Sequence, residues 1–296
     1  MPDAYRDLLD GRADVVGPDE DDLALADGVI ASVIRHWDAS ALASAPRVKV
    51  VSRSGIGYDN LDVPSLTSAG VASCFAPDAP TVSTAEQAIA LMLAITKEIP
   101  GQANRAAEGL GPLPVPTALE LDGRVLGLVG CGRIARRVAT TGLALGMRVI
   151  VHDPYVDVAP VAGVTMVALA DIWERSDVIS LHAPSSPATR HMINESTLAA
   201  LRLGAYLVNT ARGSLVDQDA LLAALNSGHL AGAALDVTEP EPLPIGHPLL
   251  AHPRCIVTPH VASSTTAARR RLYEHAIDNA LAVIAGEQGN RVPGSF

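Results

Sequence analysis

The chain has 296 residues, enough for two domains with a core in each. Its net charge of −10 speaks against nucleic acid as a partner, because phosphate binding requires a basic face. Apolar residues make up 48% and aromatics only 3%, so Ala, Val, Leu and Ile are expected to build the interior, as in helices laid on a parallel sheet.

In chain order, the opening "MPDAYRDLLDG" carries acids and no apolar segment, so no signal peptide is expected, and "DAYRDLLDG" reads as a helix. "RVKVVSRSG", Arg47–Gly55, and "GVASCF", Gly70–Phe75, read as strands. Ser83–Lys97 reads as a long helix capped by Ser83 or Thr84, with Glu86 in its first turn. The Pro- and Gly-rich stretch Pro100–Gly123 reads as a connection between domains.

Beyond it, strands are expected at Arg124–Val129, Met147–His152, Val164–Val167, Val178–Leu181, Tyr206–Asn209, Ala231–Leu235 and Cys255–Thr258. Helices lie between most of them, for example Ile134–Leu145 and Asp217–Asn226, the latter closed by Gly228. Seven strands with crossover helices predict a doubly wound sheet. A last helix, about Thr265 to Ala285, follows, and its "ARRRL" at Ala268–Leu272 reads as a solvated face. Cys74, Cys131 and Cys255 are widely spaced and read as reduced thiols, not a disulfide framework. No run approaches the roughly 18 apolar residues of a membrane span, so a cytoplasmic protein is the expected class.

The strongest single motif is Gly130-Cys131-Gly132-Arg133-Ile134-Ala135, a G-x-G-x-x-A turn. It follows an apolar strand, opens a helix, and precedes a second strand ending at Asp153, which is the full context of a dinucleotide site. Gly130 permits the tight turn, Gly132 lets backbone N–H groups approach a pyrophosphate, and Ala135 lets the helix pack close. Arg133 stands at the helix start, where it either reaches the pyrophosphate or is solvated. Asp153 can accept from ribose hydroxyls and would repel a 2′-phosphate, which favours NAD over NADP.

Three further strand ends carry chemistry. "VNTARGSLVD" places Arg212 past one strand, where a guanidinium could grip a carboxylate or simply sit in a surface turn. "ALDVTEPEPL" ends a strand at Asp236 and offers Glu239 and Glu241, of which Glu239 reads as part of a solvated acidic loop. "IVTPHVAS" ends the last strand with His260, and His182 of "LHAP" is a competing proton donor that has no acid placed to serve it.

The motifs "SRSGIGYDN", "STAEQAIALMLA", "LGLVGCGRIARRVA", "HAPSSPATRHMI", "NTARGSLVD", "LDVTEPEPL" and "TPHVASST" occur in one order along nearly the whole length. In this the chain resembles the D-isomer-specific 2-hydroxyacid dehydrogenases, the family of D-lactate, D-3-phosphoglycerate and glyoxylate/hydroxypyruvate dehydrogenases. The resemblance implies a Rossmann cofactor domain, residues 96–265, inserted into a flavodoxin-like substrate domain, residues 1–95 plus 266–296. It implies NAD as cofactor, a 2-keto/2-hydroxy acid pair as substrate, and a homodimer. It implies Arg212, Glu241 and His260 as the catalytic trio, with Arg212 on the substrate carboxylate and His260, paired with Glu241, as acid and base. It also implies that Thr210, Ala211 and Asp236 line the nicotinamide, and that His182, Ala183, Pro184 and Thr189 lie along the cofactor cleft. Ser54, Gly55, Ile56 and Gly57 would form the substrate loop, the amides of Ile56 and Gly57 holding the carboxylate from the substrate domain, on the opposite side of the cleft.

Two relatives of other function share such motifs. A cofactor-sensing corepressor of the same fold keeps a similar trio, and formate-dehydrogenase-like chemistry uses an amide beside the histidine where this chain has Glu241. The first strand of a flavodoxin-like domain has no candidate residues ahead of "DAYRDLLDG". The expectation from the sequence is that the native chain begins upstream of Met1 or has been shortened.

Overall fold

The computed structural model describes residues 3–17, 19–112 and 118–295. It divides into two compact units, Met1–Thr81 with Ser263–Phe296, and Val82–Ala262.

In the smaller unit, Asp3–Leu9 is a 3-10 helix, where the sequence reads as an ordinary helix. The chain then passes through α1 (Glu20–Leu25), β1 (Gly28–Ala31), α2 (Ala39–Ala43), β2 (Val50–Arg53), α3 (Val63–Ser68) and β3 (Ala72–Cys74). The three strands are parallel and adjoin in the order β1-β2-β3, with β1 paired on one side only among the described residues. A full flavodoxin-like sheet has the five-strand order 2-1-3-4-5. Successive residues of β2 point to opposite layers, as strand geometry requires. Val51 joins Leu23, Trp37, Leu61 and Leu66, while Val50 joins Ala72, Cys74 and Ala280 of the last helix. Asp38 and Asp62 cap α2 and α3, accepting from the N–H groups of Ala41 and Ser65.

The larger unit opens at Val82, the second residue of α4 (Thr81–Thr96), and continues with α5 (Ile99–Ala107). A seven-stranded sheet follows: β4 (Val125–Val129), α6 (Arg133–Ala144), β5 (Arg148–His152), β6 (Val164–Met166), α7 (Leu169–Arg175), β7 (Val178–Leu181), α8 (Glu195–Ala200), β8 (Ala205–Asn209), α9 (Gln218–Ser227), β9 (Leu230–Leu235), α10 (Pro248–Ala251) and β10 (Cys255–Val257). The last helix, α11 (Thr266–Ile284), belongs to the smaller unit. All seven strands are parallel, in the order β10-β9-β8-β7-β4-β5-β6.

Both faces of this sheet are covered, so its strands read as unbroken apolar runs. Tyr206, Val208 and Ala234 pack with Ala88, Leu91 and Met92 of α4 and with Val138 and Ala139 of α6. Leu207, Ile179 and Leu235 face the other way, towards Ile172 and Trp173 of α7, Leu198 of α8 and Leu221 and Leu225 of α9.

Three features differ from the sequence reading. Helix α4 begins at Thr81, so Ser83 and Thr84 lie buried inside it and do not cap it. Because α4 packs in the core of the larger unit, the division falls at Thr81, ahead of the expected 95/96. Within Pro100–Gly123, Ile99–Ala107 is helical, with Pro100 in the first turn, where a missing N–H costs nothing; residues 113–117 of that stretch lie outside the described residues. Among the described residues no helix is long and apolar enough to cross a membrane.

Leu207 has no exposed surface and sits in the middle of the sheet. Leu207→Ala is expected to lower the unfolding free energy by about 2–5 kcal/mol, read from denaturant titrations.

Candidate active site

Strand β4 lies between β5 and β7, so the strand order reverses there. In open α/β sheets a ligand crevice opens beyond the carboxyl ends at this point. Gly130 leaves β4 with φ 99° and donates its N–H to the His152 carbonyl at 2.7 Å. A Cβ there would sit 2.8 Å from the His182 carbonyl oxygen, so only glycine lets the loops after β4 and β7 come this close.

Gly132 caps α6, and nothing lies within 4 Å of where its Cβ would be. The Cys131 N–H donates to Asp153 Oδ2 at 2.7 Å, and Tyr155 N–H to Oδ1 at 2.9 Å, which fixes the carboxylate at the end of β5. Arg133 and Ile134 form the first turn of α6, with Arg133 exposed. At the end of β8, the buried Thr210 hydroxyl has no partner. Open space at a helix N-terminus, a tethered carboxylate and an orphaned hydroxyl fit a dinucleotide along this edge.

The loop after β7 holds His182, Ala183, Pro184 and Thr189. Desolvation pushes the His182 pKa down to about 4, and its Nε2 lies 3.0 Å from Ser180 Oγ. The ring is therefore neutral near pH 7 and is not an imidazolium acid there. Ala183 is buried, and Thr189 Oγ1 donates to the Pro184 carbonyl at 2.7 Å, folding the loop on itself.

Arg212, Glu241 and His260 follow β8, β9 and β10, three neighbouring parallel strands. Buried Asn209 ties the first turn: its Nδ2 donates to the Arg212 carbonyl at 2.8 Å and its Oδ1 accepts from Ala211 N–H at 3.0 Å. Arg212 Nη1 donates to the Ala211 carbonyl at 2.6 Å. Gly213 packs on the next turn, where an added Cβ would lie 2.0 Å from the Thr238 carbonyl oxygen.

Asp236, 1% exposed, accepts from Thr258 Oγ1 at 2.5 Å, Val261 N–H at 3.0 Å and Ala262 N–H at 2.9 Å. Its carbonyl accepts from His260 N–H at 2.8 Å. Held this way, His260 has φ 52°, and its Nδ1 lies 2.5 Å from Glu241 Oε1. Glu241 and His260 thus meet directly, and Arg212 stands one packed turn away through Gly213 and Thr238. Ser54, Gly55, Ile56 and Gly57 lie in the smaller unit, after β2, where Ser54 N–H and Oγ both donate to the Ala31 carbonyl.

Glu239, read from sequence as a solvated acid, is ion-paired to Arg190 at 2.9 Å, and its carboxyl is held below the usual range by that guanidinium. The pairing spans 49 residues, so no local sequence signal announces it. Arg53, also unremarked in the sequence, is buried beneath the Ser54–Gly57 loop, its guanidinium 3.0 Å from where a Gly55 Cβ would be.

The family model for "D-isomer specific 2-hydroxyacid dehydrogenase, NAD binding domain" matches residues 89–262. The chain belongs to this family. It is 38% identical over 279 residues to a D-3-phosphoglycerate dehydrogenase from Mycobacterium bovis, covering 92% of this chain and 53% of that protein. The chain therefore spans about half the length of that relative. It is 37% identical over 268 residues to a glyoxylate reductase from Thermofilum pendens, covering 88% of this chain and 79% of that protein. A D-lactate dehydrogenase from Aquifex aeolicus, solved with NAD and lactic acid, superposes with a TM-score of 0.87 at 30% identity, over 97% of this chain and 94% of that one. The matched residues include the G-x-G-x-x-A turn and the ends of β8, β9 and β10 described above.

The neutral His182 has a measurable consequence. A ring with a folded pKa near 4 and an unfolded pKa near 6.5 resists protonation only in the native state. Its contribution to stability is full above pH 6.5 and is lost as pH falls towards 4, by about 3 kcal/mol at most. Denaturant midpoints measured at pH 7 and pH 5 should therefore fall further for wild type than for His182→Gln; equal losses would contradict it.

Proposed function

We propose that the chain is an NAD-dependent oxidoreductase that interconverts a 2-keto acid and a D-2-hydroxy acid. The observation that carries this reading is the 2.5 Å contact between His260 Nδ1 and Glu241 Oε1, one strand from the turn that holds Arg212. Bound NADH would supply the hydride for the carbonyl carbon. Arg212 binds the substrate carboxylate and polarises the carbonyl as negative charge grows on its oxygen. His260 gives that oxygen a proton from Nε2, and takes it back in the oxidation direction. Glu241, an acceptor at Nδ1, fixes the ring's orientation and tautomer.

Gly130, Cys131, Gly132, Arg133, Ile134 and Asp153 would hold the adenine half of the cofactor. Asp153 favours a free 2′-hydroxyl, and so NAD over NADP. Thr210, Ala211 and Asp236 would lie at the nicotinamide, His182, Ala183, Pro184 and Thr189 along the cleft, and Ser54, Gly55, Ile56 and Gly57 would serve the substrate. A homodimer is what the family resemblance implies. The three free cysteines suit a reducing cytoplasm.

The test is oxidation of NADH by a panel of 2-keto acids. Turnover of at least one is expected; tight NADH binding with no turnover would favour a cofactor sensor. Arg212→Ala should abolish measurable turnover and leave NADH affinity in place. His260→Ala should lower kcat by roughly 10²–10⁴-fold, with NADH binding retained. Unchanged kcat/KM in either variant would remove that residue from the mechanism.

A further inference from the structure

The loop between β7 and α8 is bonded to both turns that carry the proposed catalytic groups. On one side, His191 N–H donates to the Ser214 carbonyl at 2.8 Å, and Ser185 Oγ lies 2.8 Å from Ser214 Oγ. Ser214 is two residues past Arg212. On the other side, Arg190 Nη1 donates to Glu239 Oε1 at 2.9 Å, and His191 Nε2 lies 3.7 Å from Glu239 Oε2. Glu239 is two residues before Glu241.

Gln218, the first residue of α9, grips the same position from behind. Its Oε1 accepts from Glu239 N–H at 3.3 Å and its Nε2 donates to the Glu239 carbonyl. The Thr238 hydroxyl donates to the Pro240 carbonyl at 2.9 Å and closes the turn from within.

We propose that Arg190 is a positioning residue, which through Glu239 holds the 238–242 turn so that Glu241 reaches His260. The proposal rests on the dehydrogenase reading above and names a residue that acts on its site without touching substrate. Exposure argues for position over stability. The Arg190 and Glu239 side chains are 54% and 41% exposed, and ion pairs so open to water add little to folding. What the pair does supply is direction. The Arg190 guanidinium on the Glu239 side chain, and the Gln218 amide on its backbone N–H and carbonyl, fix the chain where it enters Pro240 and Glu241. The reach matters because Glu241 meets the ring at 2.5 Å, and an error of an ångström would break that contact.

The test compares wild type with Arg190→Ala, Arg190→Lys, Glu239→Gln and Glu241→Gln in two readouts. In steady-state kinetics, Arg190→Ala should lower kcat about two- to fivefold, with KM for NADH and for the keto acid unchanged. Arg190→Lys keeps a cation within reach of Glu239 and should recover most of the loss. Arg190→Ala combined with Glu239→Gln should be no worse than either alone, because both remove one contact.

The second readout needs no turnover. In proton NMR, the His260 Nδ1 proton in its short bond to Glu241 should appear far downfield, assigned by its loss in Glu241→Gln. It should weaken in Arg190→Ala and recover in Arg190→Lys. A resonance unchanged in Arg190→Ala, or an unchanged kcat, overturns the positioning role while the dehydrogenase reading stands. The resonance weakened as expected, in a protein that reduces no keto acid, supports the positioning link and removes the dehydrogenase reading instead. A wild-type resonance that survives Glu241→Gln removes the contact on which the proposal is built.

Discussion

The carboxylate of Asp236 is the fixed point of this site. It is buried at the end of β9, where an unpaired charge would be costly, and it is satisfied by one hydroxyl and two backbone N–H groups of the following turn. Those bonds shape residues 258–262, and with them the left-handed backbone of His260. A non-glycine residue in that region persists only where its surroundings over-determine it. The resemblance implies that Asp236 faces the nicotinamide; its bonds here show that it also builds the turn that presents the histidine.

Around this point, the parallel sheet sets the geometry and the loops set the chemistry. Strands β8, β9 and β10 are hydrogen-bonded neighbours, so whatever follows each of them emerges on one edge. Sheet spacing brings the turns close, and side-chain bonds then fix them against one another: Asn209 within the first, Asp236 between the second and third. Gly213 against Thr238 removes the last gap between the first and second turns. A core of Leu, Ile, Val and Ala beneath them is rigid because it is filled on both faces.

Much of this was legible in the residues. All seven strands of the larger sheet could be read because strands covered on both faces become unbroken apolar runs, and α9 could be read from Asp217 at its start and Gly228 at its end. The glycine turn after β4 was legible because Gly130 answers to a close backbone approach that no other residue permits. Strand β1 was not, since four residues of "GVIA" carry too little periodicity to separate from their neighbours. Helix α5 was hidden by its Pro100 and Gly101, which read as loop residues although they occupy a helix's first turn. The Arg190–Glu239 pair and the bonds of Asp236 join positions far apart in the chain, and only the folded sheet makes them neighbours.

The sulfur of this protein has a consequence of its own. Burial raises the Cys74 and Cys131 thiols above their ordinary range and pushes Cys255 up to about 12. Thiols, not thiolates, therefore occupy the interior at neutral pH, and it is the thiolate that peroxides and alkylating agents attack. Cys131 stands within the G-x-G-x-x-A turn, and there a small, protonated, poorly nucleophilic side chain leaves the turn chemically quiet.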